Sequence, residues 1–402
     1  MSLERIPSSL PFALRPCPVC DSLERHLIFA QRFERLSAGS LLAGYDVVVC
    51  DHCGFGFADR IPSQADFDSY YRQMSKYENQ HQGGAPASYL EATYEEIARF
   101  VSGALPDRDA SVLDVGCATG SLLAALKRRG YTRLLGLDPS PVCARSAAEL
   151  YGIEVRPQTI TDLADSPDRF DCVMLSSVLE HVHDARTSIA QLADLLRPGG
   201  LLFIEVPDAT RFAEHLSAPY QQFSMEHINF FTPQTLVSLC ATAGLELVAM
   251  EQPTRILDTA EEPAITAIFG RGRASTCSLP DSLSSDSALR RYVEASWQLD
   301  EKVRPRIESL QSSDEKFFVW GAGTHTLRLL ASGILRTEHV EAFIDSNPRY
   351  QQKLLASVPV RAPSALAGRD TSIVISSRVF QDEIVRTLRD ELRYQGKVVT
   401  LY

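Results

Sequence analysis

The chain has 402 residues with 51 acidic and 40 basic side chains, giving a formal net charge of −11 at pH 7. This balance argues against nucleic acid as a partner, because a surface that follows phosphates needs clustered lysine and arginine. The sequence contains neither an apolar run that could cross a bilayer nor a signal-peptide pattern, which predicts a cytoplasmic protein without a membrane partner. The length exceeds the size at which one hydrophobic core stops growing, and it predicts several domains.

Four of the nine cysteines form two C-x-x-C pairs near the start of the chain. These cysteines are Cys17, Cys20, Cys50 and Cys53. Each short turn directs two thiolates to one point, so the doubled spacing predicts a tetrahedral zinc site; four reduced cysteines without a metal are the alternative. Protein would fill all four ligand positions, which makes the predicted zinc structural. The long segment 21–49 must fold back as strands, one of them at 46–49.

The next informative segment, residues 112–120, is an apolar strand that enters a glycine-bearing turn before a helix. A second strand at 134–137 ends at Asp138, where an acid can accept hydrogen bonds from two ribose hydroxyls. The turn lacks the full G-x-G-x-x-G spacing, and Asp114 would repel a pyrophosphate. S-adenosylmethionine (SAM), which has a cationic amino-acid end, therefore fits better than NAD or FAD. A plain doubly wound sheet with a tight turn is the alternative.

Residues 112–250 resemble the class I SAM-dependent methyltransferases. The matching segments are the first motif, the ribose acid, the fourth strand (170–176) and the turn before the fifth strand (196–200). The resemblance implies a Rossmann-like α/β domain and a set of cofactor-binding residues. That set is Asp114, Gly116, Ala118, Gly120, Asp138, Pro139 and Ser176. These motifs specify the cofactor and say almost nothing about the methyl acceptor.

Beyond this domain, residues 253–312 are predicted to form a linker and a polar packing helix at about 288–310, interrupted at Pro305. Residues 317–323 then form a second strand that enters a glycine turn, and a later strand ends at Asp345. This pattern predicts a smaller Rossmann-like α/β domain.

A second dinucleotide site in this smaller domain, with Asp345 on a ribose, is one interpretation of the glycine turn. Thr326 replaces the third glycine of such a motif, however. We therefore expect Gly321, Gly323, Thr324 and His325 to line an acceptor pocket between domains.

The predicted domains are a zinc-binding module (1–88), a SAM domain (89–252), a linker (253–312) and a carboxy-terminal α/β domain (313–402). Their order resembles that of the three-domain sugar C-methyltransferases, which act on nucleotide-linked keto-deoxysugars. The resemblance implies a nucleotide-sugar as the small-molecule partner and C-methylation through an enolate.

This second resemblance also implies which residues line the acceptor site. They are His181, Glu226, His227 and Tyr77, with Tyr70 and Tyr71 as other candidates for the tyrosine. The chain departs from the family pattern at Ser224, where a tyrosine is expected.

The chemistry explains these residue types. Methylation of a carbon beside a ketone needs a base for the α proton and donors for the enolate, whereas methylation of a hydroxyl needs only a base. A histidine suits the base, and Glu226 could orient it. The alternative is a structural role for these residues. In that case Glu180 and His181 shape the cofactor lid, and residues 226–227 anchor the loop before a helix capped by Thr232.

Two other functions remain open at this point. One is O- or N-methylation of a sugar or another small metabolite, and the other is a non-catalytic SAM-binding assembly protein. The sequence does not predict the oligomeric state.

Overall fold

A computed structural model describes residues 10–36, 41–74, 88–163, 166–257, 260–272 and 279–402, which form three sheets surrounded by helices. The strands are β1 (Arg25–Arg32), β2 (Gly44–Cys50), β3 (Gly56–Asp59), β4 (Ser111–Val115), β5 (Arg133–Leu137), β6 (Glu154–Arg156), β7 (Phe170–Ser176), β8 (Leu196–Pro207), β9 (Asn229–Phe230), β10 (Glu246–Glu251), β11 (Thr254–Leu257), β12 (Ala260–Gly270), β13 (Phe317–Trp320), β14 (Val340–Ile344), β15 (Leu354–Leu355), β16 (Val358–Arg361), β17 (Ile373–Ile375) and β18 (Val398–Thr400). The helices are α1 (Gln64–Met74), α2 (Ser88–Ala104), α3 (Ser121–Arg128), α4 (Pro141–Tyr151), α5 (Ala185–Asp194), α6 (Pro233–Ala241), α7 (Ser285–Gln311), α8 (Thr324–Ala331) and α9 (Gln381–Arg386).

The first sheet has the order β1-β2-β3-β9 and is antiparallel. The strand predicted at 46–49 is part of β2, in which every residue is buried. The fourth strand, β9, comes from far along the chain, and its two residues pair with Gly56 and Phe57 of β3. The amino-terminal sheet is therefore completed by the segment that directly follows His227.

The central sheet has the order β10-β12-β8-β7-β4-β5-β6, with β11 paired to β12. Strands β4 to β8 run parallel, and β12 lies antiparallel beside β8. Alternate residues of β4, β7 and β8 face opposite layers, with α2 and α3 on one face and α5 and α6 on the other. The central strands are buried on both faces, as parallel sheets require. The predicted Rossmann-like α/β domain is confirmed.

The helices predicted in this domain form where the sequence places apolar stripes and helix-capping residues. Leu122, Leu123 and Leu126 form the buried stripe of α3, and Gly130 follows that helix with a φ of 97°. Helix α6 begins after Thr232, whose side chain accepts a hydrogen bond from the Thr235 N–H. Both helices cover the sheet with their apolar faces.

The third sheet has the order β15-β16-β14-β13-β17-β18, in which β15 alone runs antiparallel to its neighbour. The predicted helix after the linker exists, but its predicted interruption at Pro305 is wrong, because α7 continues through the proline. Tyr292, Val303 and Ile307 bury one face of α7 on both sides of Pro305. This burial holds the helix although proline removes one backbone hydrogen bond.

Helix α7 joins the amino-terminal and carboxy-terminal sheets through one shared hydrophobic cluster. A buried ion pair between Asp300 of α7 and Arg328 of α8 adds two hydrogen bonds of 2.6 and 2.7 Å. No helix in the described ranges combines the length and the apolar character needed to span a membrane.

Candidate active site

A glycine turn after β4 forms the first half of the site. Gly116 and Gly120 have φ values of 77° and 79°, and Ala118 between them also lies in the left-handed region at 48°. The Gly116 N–H donates to the Leu137 carbonyl at 2.7 Å, which ties the turn to the end of β5. Glycine adopts these angles without the steric cost of a side chain.

Two buried carboxylates flank this turn. Asp114 is 2% exposed and Asp138 is 7% exposed. Burial raises the pKa of both groups, and the neighbouring charge of Asp138 helps to raise that of Asp114 to about 8. A cation placed between the carboxylates would stabilise their charged forms. The pair therefore suits a ligand with an ammonium group, such as SAM, and disfavours a phosphate.

Asp138 is held in a fixed orientation by the backbone. Its Oδ2 accepts from the Ala118 N–H at 3.0 Å, and its Oδ1 accepts from the Ser140 N–H at 2.9 Å. Pro139 lies between Asp138 and Ser140 in the chain, and Ser140 caps α4. A carboxylate can accept about four hydrogen bonds, so after the two N–H bonds and one from the Cys143 side chain Asp138 can still accept from a ribose hydroxyl.

Ser176 lies at the carboxyl end of β7 and donates to Glu205 Oε1 at 3.4 Å. The carboxyl ends of parallel strands meet at one sheet edge, where ligands of open α/β sheets bind. The structure thus brings all seven predicted cofactor residues to this edge.

The turn after β7 connects the SAM side to the predicted acceptor side. A Cβ atom at Gly116 would overlap Cγ2 of Val178, so the two turns pack directly against each other. Glu180 and His181 follow Val178 in a short helical turn. Gly116 is therefore required for close packing as well as for its backbone angle.

The histidines predicted from sequence lie side by side. The ring centroids of His181 and His227 are 5.0 Å apart with an edge-to-face geometry. His181 Nδ1 lies 2.9 Å from the Glu226 carbonyl oxygen. A carbonyl oxygen can only accept, so Nδ1 carries the proton, and Nε2 is the basic nitrogen of a neutral ring.

Glu180 completes this group and was missed as a site residue. It is 1% exposed, and its Oε1 lies 3.7 Å from His181 Nε2. Glu180, His181 and His227 each offer one atom of a set that lies within 4.8 Å of one another. The sequence signal was an acid directly before His181. The same Glu-His pair also occurs where it only shapes a cofactor lid.

The tyrosines of α1 face this group. Tyr70 donates its hydroxyl to Glu226 Oε1 at 3.1 Å, and the ring of Tyr71 lies 5.9 Å from that of His181. Tyr77, the predicted tyrosine, lies outside the described residues. Tyr70 and Tyr71, the other two candidates, are the ones that contact Glu226 and His181.

Tyr350, in the turn after β14, is also affected by the charge of Glu226. Burial raises the pKa of this tyrosine, and the charges of Asp345 and Glu226 raise it further. Burial likewise raises the pKa of Tyr70, with contributions from Glu226 and Tyr350. The charge of Glu226 therefore acts on both Tyr70 of α1 and Tyr350 of the turn after β14.

Ser224, at the position where a tyrosine was expected, has a local structural role. Its Oγ accepts from the N–H groups of Glu226 at 3.3 Å and His227 at 3.1 Å. The buried Tyr45 donates its hydroxyl to the Ser224 carbonyl at 2.8 Å. The serine shapes the backbone of the Glu-His pair from within the loop.

The four paired cysteines come together at the edge of the first sheet. Their sulfur atoms all lie within 4.8 Å of one another, with Cys17 to Cys53 at 3.5 Å and Cys20 to Cys50 at 3.6 Å. Zinc–sulfur bonds of about 2.3 Å in a tetrahedron place the sulfurs about 3.8 Å apart. The donor set and its spacing fit a structural zinc ion.

In the carboxy-terminal domain, the second glycine turn precedes α8. The ring of His325 contacts Ser376 Oγ at 3.0 Å and the Tyr402 hydroxyl at 2.5 Å. Burial lowers the pKa of His325 to about 3, so its ring is neutral. Two of its partners thus lie within its own domain, although we expected this turn to line the interdomain pocket.

Residues 89–250 match the family of methyltransferase domains. The ubiquinone biosynthesis O-methyltransferase of Xylella fastidiosa is 30% identical over 199 residues, which are 46% of this chain and 79% of that protein. The protein of the same name from Xanthomonas euvesicatoria pv. vesicatoria is 31% identical over 177 residues, covering 40% and 73% of the two chains.

Solved structures of two methyltransferases are also similar. The 1,6-didemethyltoxoflavin-N1-methyltransferase of Burkholderia thailandensis has a TM-score of 0.42 and 20% identity, covering 62% of this chain and 99% of that one. A SAM-dependent methyltransferase of Clostridium acetobutylicum has a TM-score of 0.37 and 12% identity, covering 46% and 93%. The sequence relatives, together with the family match, show that this chain belongs to the SAM-dependent methyltransferases.

Proposed function

We propose that the protein transfers the methyl group of SAM to a nucleotide-linked keto-deoxysugar, forming a carbon–carbon bond beside the ketone through an enolate. The observation that carries this proposal is the group formed by Glu180, His181 and His227 beside the SAM turn. A buried carboxylate next to a histidine with a defined basic nitrogen is suited to removing a proton from carbon. The order of the predicted domains supports the sugar acceptor.

On the cofactor side, Asp114 would hold the ammonium group and Asp138 the ribose hydroxyls. Bound SAM supplies an electrophilic methyl group on a sulfonium. The protein contributes by fixing the acceptor in line with that methyl, which can lower the barrier by several kcal/mol, up to about 10. The packing of Gly116 on Val178 keeps the two sides of the site close enough for this alignment.

On the acceptor side, His181 Nε2 would take the α proton, and Glu180 would stabilise the imidazolium that results. His227, with its ring centroid 5.0 Å away, is the second candidate for the base. Tyr70, whose hydroxyl donates to Glu226 without substrate, would donate to the enolate oxygen when the acceptor binds, and Glu226 would then accept from an adjacent hydroxyl of the acceptor. Hydrogen-bond donors aimed at a developing oxyanion are worth about 3 kcal/mol each.

The nucleotide end of the acceptor would lie toward the carboxy-terminal sheet. The pKa of Tyr350 is raised by burial and by the charges of both Asp345, directly after β14, and Glu226, which supports this direction. An acceptor that extends from Glu226 toward Asp345 must have both a reactive sugar and a second polar part. A nucleotide-linked sugar meets this requirement, and it enters as a small-molecule partner.

We also propose that the cysteine cluster binds one structural zinc ion. Elemental analysis of the purified protein should give about one zinc per chain, and a Cys17→Ser, Cys53→Ser double variant should contain none. A matched Cys143→Ser variant, which changes a buried cysteine outside the cluster, should keep the metal. Full-length protein free of zinc and equally stable would contradict the assignment.

The methyl-transfer proposal is tested with a panel of nucleoside-diphosphate-linked keto-deoxysugars and SAM in deuterated water. We expect a product with a new carbon-bound methyl group, and deuterium exchange at the α carbon that depends on the enzyme. His181→Gln and His227→Gln should slow the exchange. Full turnover in both variants would show that neither histidine is the base.

O-methylation is the second candidate function. The relatives reported above are O-methyltransferases by name, and Ser224 replaces the tyrosine of the C-methyltransferase pattern. A hydroxyl acceptor would need one base and no enolate. A methyl carbon bonded to oxygen in the product spectrum, without deuterium exchange at carbon, would establish this alternative. Membership in the methyltransferase family favours either enzyme over a non-catalytic assembly protein.

A further inference from the structure

Arg15 lies two residues before the first cysteine of the cluster and is 3% exposed. Its backbone N–H donates to Asp59 Oδ1 at 2.7 Å, and Arg25 donates to its carbonyl oxygen at 2.5 Å. Its guanidinium also lies 5.7 Å from the ring centroid of Phe57. The base of this arginine is therefore anchored to the amino-terminal module.

The guanidinium of Arg15 lies between the amino-terminal sheet and the methyltransferase domain, with acceptors in both. Nη1 donates to the Ile228 carbonyl at 3.1 Å and the Ala58 carbonyl at 3.2 Å. Nη2 donates to Asn229 Oδ1 at 3.0 Å, the Val182 carbonyl at 3.3 Å and the His183 carbonyl. One side chain thus binds the segments that directly follow His181 and His227.

The two histidine segments are also bonded to each other around this arginine. Asn229 Nδ2 donates to the carbonyls of Leu179 at 2.8 Å and Val182 at 2.7 Å. The Ile228 N–H donates to the Glu180 carbonyl at 2.9 Å. Arg15 supplies the charge and the largest number of donors in this network.

We propose that Arg15 is a positioning residue that fixes the spacing of the His181 and His227 rings and so couples the cysteine module to proton transfer. This inference rests on the proposed function, in which these histidines are the candidate bases. A guanidinium is required because its two terminal nitrogens, Nη1 and Nη2, form a planar fork that reaches several acceptors at once. A lysine ammonium would keep the charge but could not bind both segments with the same geometry.

The test uses the zinc-loaded full-length protein with SAM bound and histidine rings labelled with ¹⁵N. The variants are Arg15→Met and Arg15→Lys. The matched control is Arg32→Met, because Arg32 also donates to backbone carbonyls, but only those of Gln31 and Tyr45 in its own sheet. Signals are assigned with His181→Gln and His227→Gln.

The readout is the exchange rate of the His181 Nδ1–H, which is bonded to the Glu226 carbonyl. We expect exchange to become about tenfold faster or more in both Arg15 variants and to stay unchanged in the control. SAM affinity, measured by calorimetry, should change in none of them. If Arg15→Met does not fold, Arg15→Lys decides the outcome, and wild-type exchange in every folded Arg15 variant overturns the proposal.

A turnover measurement separates this inference from the proposed function. With an active acceptor, kcat should fall about tenfold or more in Arg15→Lys, because small misplacements of catalytic groups have large effects. Normal ring exchange in the Arg15 variants, combined with inactive histidine variants, would reject only the role of Arg15. Faster exchange in the Arg15 variants, combined with active histidine variants, would reject only the catalytic role of the histidines.

Discussion

The two glycine turns of this molecule share one framework and differ in charge. In both, an acid after the second strand accepts from an N–H of the turn: Asp138 from Ala118 at 3.0 Å and Asp345 from Ala322 at 2.8 Å. In both, the other carboxylate oxygen accepts from the residue two positions later.

The difference lies in the strand that enters each turn. The first strand has Asp114 two residues before its glycine, whereas β13 has the buried Val319 two residues before Gly321. The first turn, residues 116–120, is also two residues longer than the second, residues 321–323, and contains Ala118 in the left-handed region. The shared hydrogen bonds join the two strands to the helix in both turns. The additional buried carboxylate, Asp114, suits only the turn after β4 to a cationic cofactor.

The largest difference in SAM affinity is expected between alanine variants of Asp138 and Asp345, the acids that follow the second strands. We expect Asp138→Ala to weaken SAM binding about 100-fold, because it removes the predicted acceptor of two ribose hydroxyls. Asp345→Ala removes the matching acid of the other turn and should leave SAM affinity unchanged. Calorimetry with SAM measures both. Equal losses in the two variants would mean that the turns do not differ in function.

The glycines of the two turns should differ in tolerance. Gly116 has a φ of 77°, and a Cβ there would overlap Val178, so Gly116→Ala should lower the free energy of unfolding by about 2 kcal/mol. Gly323 has a φ of −85° and open space around it, so Gly323→Ala should change stability by less than about 0.5 kcal/mol. Urea unfolding checks both values, and a stable Gly116→Ala protein would refute the packing argument.

The charge of Asp114 should give SAM binding a pH dependence. The pKa of its carboxyl is about 8 without a ligand, and the ammonium group favours the ionised form. SAM affinity should therefore rise by about tenfold between pH 6 and 7, where the ammonium group of SAM stays protonated, since protons are released on binding below the pKa of Asp114. Asp114→Asn should bind SAM more weakly and without this slope. Calorimetry at pH 7 in two buffers of different ionisation enthalpy detects the released proton.

Much of the central domain could be predicted because its signals are local. The apolar strands, the glycine turn and the capped helices each depend on residues within one short segment, as the buried stripe of α3 and the Thr232 cap illustrate. The histidines were found through a family pattern. The orientation of His181, in contrast, depends on a carbonyl 45 residues away.

The features that escaped prediction depend on contacts between distant segments. Strand β9 has only two residues, too few for any periodic pattern, and it exists because β3 provides a pairing edge. Arg15 looks like an ordinary charged residue until its acceptors in the methyltransferase domain, more than 160 positions away, are known. Helix α7 continues through Pro305 because of burial that local propensity does not include.

The pairing of β3 with β9 has a consequence for how this protein can be divided. The backbone that leaves His227 ends as an edge strand of the amino-terminal sheet, so that sheet serves as the scaffold for the loop. A fragment restricted to the cofactor domain would retain its own core but lose this support. The amino-terminal module is thus part of the support of the candidate active site. An unrelated module put in its place would have to provide a strand that pairs with β9 as β3 does.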